Sequence, residues 1–164
     1  MGHGNCGHLV YLLKKFSNLS YFGLEISEVM HYQAKEINAH FVSDNDISFQ
    51  LYDGKHIPFS DHSFETIMTV NTIYFWQNPK TYLSELCRVL RPNGNFILTF
   101  ATKKFMKGLS FAKHGFTLYE LEDVKKLIKT TGFTISETKE LEEVVQSKDG
   151  SMVHREFVVV KLLK

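Results

Sequence analysis

Three glycines open the chain and constrain it more than any other feature. Gly2, Gly4 and Gly7 spell G-x-G-x-x-G within Met1-Gly-His-Gly-Asn-Cys-Gly-His8, and an apolar, helix-like run follows from Leu9 to Phe16. Glycines at that spacing let a backbone turn tightly and approach a ligand at the start of a helix. A strand normally feeds such a loop, yet this loop begins at the first methionine. The chain therefore shows a nucleotide-type binding loop without its supporting strand.

At 164 residues the chain fits one domain, 1–164, with enough length for a proper core. Hydrophobic residues make up 43% and charged residues 23%, an ordinary balance for a globular protein. A formal net charge of +1 gives no overall basic surface for nucleic acid. Two cysteines, Cys6 and Cys87, make no disulfide framework, which predicts a reducing, cytoplasmic setting. No apolar run approaches membrane-spanning length, so no membrane partner is expected.

Strand and helix patterns alternate along the sequence. Leu19 to Ile26 is a short apolar strand ending at an acid, and Glu28 to Ala39 reads as helix with Ser27 as N-cap. Ile47 to Tyr52 alternates as a strand does, and Asp53-Gly54 breaks it. Thr66 to Val70 is β-rich, and Lys80 to Leu90 is helical with Tyr82, Leu83, Leu86 and Leu90 on one face. Arg91-Pro-Asn-Gly94 predicts a turn before a strand from Asn95 to Phe100. Lys103 to Phe116 reads as irregular and basic. Leu121 to Thr131 is an amphipathic helix stopped by Gly132. Two strands close the chain, Phe133 to Glu140 and Glu156 to Leu162, around a hairpin tip at Asp149-Gly150. The alternation predicts an α/β fold with a mostly parallel twisted sheet, helices on both faces and a C-terminal antiparallel strand.

Two further features bear on chemistry. Glu25 ends the second strand of the pattern, eighteen positions past Gly7, where an acid can accept hydrogen bonds from ribose hydroxyls. The plain alternative is a surface acid at a strand end. Asp53 with Gly54 stands at the edge of the next strand, where a carboxylate can accept from an exocyclic amine such as that of adenine. The plain alternative is a turn, in which Asp-Gly is common.

With these features in order, the chain resembles the class I S-adenosylmethionine-dependent methyltransferases of small-molecule type, over essentially its whole length. The most specific pieces are Ile57-Pro-Phe-Ser-Asp-His-Ser-Phe-Glu-Thr-Ile-Met68, Tyr82-Leu-Ser-Glu-Leu-Cys-Arg-Val-Leu-Arg-Pro-Asn-Gly94, and Phe116-Thr-Leu-Tyr-Glu-Leu with Thr131-Gly-Phe133. The resemblance implies a Rossmann-like fold, S-adenosylmethionine as cofactor and methyl transfer to a small-molecule acceptor by in-line attack on the sulfonium. It implies that Gly2, Gly4 and Gly7 cradle the methionine end of the cofactor. Glu25 would then hold the ribose, Ile26 pack on the adenine, Asp53 and Gly54 contact the adenine, and Asn71 lie near the methyl group. Tyr74 and Trp76 would wall the acceptor pocket, and helix and loop packing is the alternative for both.

The family carries a central strand ahead of the glycine loop, and this chain departs from it there. The expectation is a fold lacking its N-terminal central strand, in a chain that is N-terminally truncated. Its neighbours would close on each other unless another segment filled the slot. On that reading Met1 to Gly7 are exposed or poorly ordered and cofactor binding is weak, because an unanchored terminus frays. His3, Cys6 and His8 carry metal-ligand chemistry without a clear fourth ligand, and no metal is expected. Lys103 to His114 is either a substrate lid or a solvated loop, with His114 its candidate general base. No Asn-Pro-Pro-aromatic tetrad appears, which argues against a nucleic-acid-base acceptor. Two other functions stay open: a catalytically silent, methyltransferase-like partner protein, and a nicotinamide-dependent oxidoreductase, whose glycine loop and ribose acid look alike.

Overall fold

A computed structural model describes residues 1–16, 18–42, 46–113, 115–146, 150 and 152–164. The expected hairpin tip at Asp149 and the candidate base His114 lie outside the described residues. The chain divides into two compact units, Met1–Pro58 and Phe59–Lys164.

The first unit runs α1 (Leu9–Lys15), β1 (Tyr21–Glu25), α2 (Glu28–Ile37), α3 (Ala39–Val42) and β2 (Ile47–Leu51). The strands pair in parallel, from Tyr21 opposite Ile47 to Glu25 opposite Leu51. A parallel pair needs a crossover, and α2 and α3 supply it. Ser27 caps α2 as expected, its hydroxyl accepting from the Met30 amide at 3.4 Å. The core holds Cys6, Leu9, Ala34 and Ile47, with Leu13, Tyr21, Phe41 and Phe49 packed against it. Buried Asn38 donates to the carbonyls of Ala34 (2.8 Å) and Cys6 (3.4 Å), which fastens the glycine loop to the end of α2.

The expectation that Met1 to Gly7 are exposed is corrected here. His3 and Cys6 are buried. The Gly2 amide donates to the Leu24 carbonyl at 2.7 Å. Leu24 turns that carbonyl away from β2, since Glu25 next to it accepts from Tyr52 beyond β2. The first residues thus attach to the edge of β1 that β2 does not use. The His3 ring lies over Gly23, where a Cβ would stand 2.7 Å from His3 Cδ2 and 2.9 Å from Phe49 Cδ1. Anchoring here comes from side-chain packing, the edge hydrogen bond to Leu24 and the Asn38 bond to the Cys6 carbonyl, none of which has a sequence pattern.

The second unit runs β3 (Phe64–Val70), a 3-10 turn at Ile73–Phe75, α4 (Pro79–Val89), β4 (Leu90–Ala101), α5 (Lys103–Met106), a 3-10 turn at Ser110–Lys113, α6 (Leu121–Ile128), β5 (Thr134–Gln146) and β6 (Met152–Leu163). The sheet order is β3-β4-β6-β5. β3 and β4 are parallel, while β6 is antiparallel to both β4 and β5. Arg91 to Gly94, expected as a turn before the strand, lies instead within β4 as a bulged stretch: Asn93 has φ +64°, and the register moves from Phe64 opposite Leu90 to Thr66 opposite Asn95. Lys103 to Phe116 is more regular than expected, because Thr102 accepts from the Phe105 amide and starts α5. α6 ends at Ile128, earlier than Gly132, where the Thr131 hydroxyl donates back to the Ile128 carbonyl at 2.7 Å.

Arg88 explains why two of the sequence motifs occur together. Its guanidinium donates to the Phe59 carbonyl (2.8 Å), to Asp61 (2.9 Å) and to Glu85 (2.9 Å), joining the Pro-Phe-Ser-Asp segment to α4. Among the described residues, β1 pairs only with β2 and β3 only with β4. Among those residues, too, no helix is long and apolar enough to cross a membrane.

Gly23 generates a stability prediction. Gly23→Ala forces a methyl group between His3 and Phe49, with an expected destabilisation of about 1–3 kcal/mol. Urea denaturation checks it, and His3→Ala in the same chain should recover part of the loss by removing the nearer obstacle.

Candidate active site

In the first unit, β1 and β2 end together. The Tyr52 amide donates to the Glu25 carbonyl at 3.1 Å, which sets Glu25-Ile26 beside Asp53-Gly54. Glu25 is buried at 6% exposure. Its Oε2 accepts from the Gly4 amide (2.8 Å), and its Oε1 from the amides of Ile26 (2.9 Å) and Ser27 (3.0 Å). A carboxylate offers about four acceptor positions. Oε1 has used two, whereas Oε2 has used one and retains another.

The loop geometry refines the glycine pattern. Gly2 (φ +60°) and Gly4 (φ +57°) take left-handed backbone conformations. A Cβ on Gly4 would meet nothing within 4 Å, so the loop backbone lies bare to open space there. Gly7 is not left-handed; Cys6 is, at φ +52°. A non-glycine residue in that region is uncommon, and packing holds it. Cys6 is fully buried, and its thiol donates to the Tyr21 hydroxyl at 3.2 Å. His8 Nε2 meets the same hydroxyl at 3.3 Å. Burial pushes the Cys6 thiol and the Tyr21 phenol up and the His8 imidazole down, so the cluster is neutral. His3 turns elsewhere, with Nδ1 2.6 Å from the Gly4 carbonyl and burial lowering its pKa. Among the described residues, no three His, Cys, Asp or Glu side chains gather as a metal site.

Ile26 is exposed, and a Cβ on Gly54 (φ +76°) would stand 3.2 Å from Ile26 Cγ2. The two residues border each other. Asp53 Oδ1 accepts from the amides of Lys55 and His56, both at 2.8 Å, and Oδ2 lies 2.7 Å from His56 Nδ1. These contacts make Asp53 the organiser of its own turn. They hold its carboxyl well below the usual carboxylate range, the His56 amide first, then the His56 ring and the Lys55 amide.

In the second unit, Asn71 follows β3 at φ +56° and accepts from the Ala101 amide at 3.2 Å through Oδ1. The Tyr74 hydroxyl accepts from the same amide at 2.6 Å and lies 3.0 Å from the Ala101 carbonyl and 3.2 Å from Asn71 Oδ1. Asn71 and Tyr74 therefore tie the end of β3 to the end of β4. Tyr74 is buried, and burial lifts its phenol to about 12. Trp76 packs on Tyr82 of α4 with ring centroids 4.8 Å apart. Phe75, between them in sequence, is 54% exposed. Sequence reasoning assigned Phe75 to helix and loop packing, which its exposure corrects, and passed over Tyr21, Gly23 and Asn38; an isolated aromatic, glycine or amide residue carries no motif.

A pH prediction comes from the Asp53 turn. Its folded pKa is depressed, so its contribution to the turn is present above the ordinary carboxyl range and is lost as pH falls through the lower folded value. In a carbon-13 NMR pH titration, Asp53 should remain ionised below pH ~3.9, the unperturbed value. His56→Ala should move the midpoint upward toward that value; an unchanged midpoint would refute the assignment.

Residues 1–98 match the model of a family described as a methyltransferase domain. The fatty-acid O-methyltransferase of Mycolicibacterium smegmatis is 27% identical over 106 residues, 64% of this chain and 37% of that protein. The tRNA U34 carboxymethyltransferase of Nautilia profundicola is 33% identical over 94 residues, 57% of this chain and 31% of that protein. The chain thus spans about a third of the length of these curated relatives. Among solved structures, an S-adenosylmethionine-dependent methyltransferase of Aquifex aeolicus superposes with TM-score 0.74 at 19% identity, covering 99% of this chain and 79% of the other. That superposition establishes the Rossmann-like fold. The family match includes the glycine loop, the Glu25 strand end and the Arg88 clamp, and it separates them from the look-alike loop of nicotinamide enzymes. The chain belongs to the class I methyltransferase domain family.

Proposed function

We propose that this chain binds S-adenosylmethionine and acts in methyl transfer to a small-molecule acceptor. The observation that carries the reading is Glu25: a buried carboxylate with one acceptor position left, beside a loop whose backbone is bare above Gly4. A ribose hydroxyl suits that remaining position, since a hydrogen bond to an ionised acceptor is stronger than a neutral one. The exposed Ile26 and the Cβ-free Gly54 offer an apolar edge to a purine face. Asp53 Oδ2 has acceptor capacity beyond its contact with His56, suited to an exocyclic amine. Gly2 and Gly4 take the methionine end, and Gly7 adds a turn beside Asn5. On the second unit, the resemblance assigns Asn71 to the donor group, and Tyr74 holds Asn71 in place.

The bound cofactor supplies an electrophilic methyl group on a sulfonium. The reaction then needs proximity and in-line alignment more than a strong base, and such alignment lowers barriers substantially. The near-neutral chain and the missing Asn-Pro-Pro-aromatic tetrad support a small-molecule acceptor. The acceptors named for the two relatives, a fatty acid and a tRNA, mark the range within which this chain's acceptor is sought. The buried His3 and Cys6 also remove the premise of a frayed loop, on which the weak-binding expectation rested.

Calorimetric titration with S-adenosylhomocysteine tests the reading. Wild-type chain should bind, and Glu25→Ala should weaken binding by roughly tenfold or more, the scale of one charge-assisted hydrogen bond. Ile26→Asp should weaken it too by opposing the purine face. Absence of binding by the wild-type chain, or enhanced nicotinamide fluorescence with a reduced nicotinamide cofactor instead, would end the proposal.

A further inference from the structure

Two buried ring nitrogens of the first unit, His3 Nε2 and His31 Nδ1, find no hydrogen-bond partner among the described residues. Both side chains are nine-tenths buried, each at 8% exposure. Buried polar atoms are nearly always paired, so each exception calls for a reason. An apolar side chain would fill either seat without leaving a polar atom unpaired.

His3 is the better defined of the two. Its Nδ1 lies 2.6 Å from the Gly4 carbonyl. A carbonyl oxygen only accepts, so Nδ1 carries the proton, and Nε2 of the neutral ring is a bare acceptor. The ring sits on Gly23, where a Cβ would stand 3.2 Å from Nε2, and against the Phe49 ring at 5.1 Å between centroids. A proton taken up at Nε2 therefore buries a charged donor without an acceptor, which costs far more than burying the neutral ring.

The ionisable groups facing His3 are Glu25 of β1, His31 of α2 and the Met1 amine. Glu25 favours a charged ring, but its carboxylate is turned to three backbone amides. His31 and the amine oppose it when they are charged, and Phe49 of β2 adds no charge. The Cys6 thiol and the Tyr21 phenol, both pushed up by burial, stay neutral. Burial is the largest influence, and it lowers the His3 pKa from the ordinary 6.5. His3 also lies between two anchors of the glycine loop, the Gly2 amide on the Leu24 carbonyl and the Gly4 amide on Glu25. A ring displaced from Gly23 gives up its bond to the Gly4 carbonyl and loosens the loop between those anchors.

We propose that His3 is a pH-sensitive latch of the glycine loop: the neutral ring, seated on Gly23, holds the loop to β1, and a proton taken up at Nε2 unseats the ring and loosens the loop. This deepens the proposed function by giving its binding loop a regulation, and it rests on that reading only for the cofactor's meeting the loop. The direction follows from the lowered His3 value: the latch is fully held above pH 6.5 and weakens as pH falls through the lower folded value.

Amide hydrogen exchange of the full chain, without ligand, tests the latch. The Gly4 amide reads the loop, and the Asn38 amide, bonded to the Ala34 carbonyl at 3.1 Å, reads unfolding of the unit. Between about pH 7.5 and about pH 5, the protection of Gly4 relative to Asn38 should fall about fivefold or more, since one linked proton shifts an opening equilibrium by up to about tenfold per pH unit. His3→Asn places an amide N–H where Nδ1 stands and has no titrating nitrogen, so its relative protection should change less than about twofold. Nitrogen-15 spectra of the wild-type chain at neutral pH should show a protonated Nδ1 and a bare Nε2 on His3, a measurement that needs no variant. The opposite tautomer, a His3 midpoint at or above 6.5, or a loss of protection shared equally by Asn38 would each overturn the proposal. So would an equal loss in His3→Asn, which would assign the acid response to Glu25, His8 or the Met1 amine. Calorimetry with S-adenosylhomocysteine at neutral pH tests the proposed function by itself, and the exchange measurement is made without that ligand, so failure of one reading is distinguishable from failure of the other.

Discussion

A carboxylate removed from water must be met by donors or it will not stay charged, and Glu25 is met by three backbone amides from two directions. The amides of Ile26 and Ser27 come from the turn into α2, and that of Gly4 from the glycine loop. One side chain therefore fixes the end of β1, the start of α2 and the height of the loop together. Each such bond to a charged group contributes roughly 1.5–3 kcal/mol. The Gly2 hydrogen bond to Leu24 and the packing of Cys6 and His3 complete a loop held at several points along its length. A ligand meeting this loop finds backbone already ordered, which is where the cost of binding is otherwise spent.

The legible parts of the fold were those with a local period. Alternating apolar residues marked β2, the helical stripe marked α4, and Ser27 marked the start of α2, because each signal lies within a few residues of what it determines. The Pro-Asn-Gly signal at Arg91 to Gly94 marked an irregularity but not its kind, since the ladder of β4 takes the segment in as a bulge. What the sequence hid is non-local. The need for glycine at position 23 comes from His3, twenty residues away, and the left-handed conformation of Cys6 is held by Tyr21 and the core. At the candidate site, Glu25 ends β1 and Asp53-Gly54 follows β2, as the strand pattern led one to expect. The third glycine of the pattern does not take the special backbone conformation, and the residue before it does.

Asp53 organises the turn that follows β2. Its carboxylate is spent largely on the amides of Lys55 and His56, which is the plain reading of Asp-Gly. Those bonds, with the His56 ring on Oδ2, also hold its carboxyl below the usual carboxylate range.

The second unit divides its aromatic residues by task. Tyr74 gives its hydroxyl to Ala101 and Asn71, and half-buried Trp76 packs one side of its ring on Tyr82. The Thr117 amide donates to the Tyr74 carbonyl and so joins the loops after β3 and β4, while Phe75 and Phe111 stay exposed on either side of Phe116. An exposed phenyl on a mobile loop would fold back on the nearest apolar surface. Here the 3-10 turn at Ile73–Phe75 and the Thr117-to-Tyr74 hydrogen bond keep the ring out. Phe75 therefore presents its ring to water, although Tyr74 before it is buried and Trp76 after it packs on Tyr82.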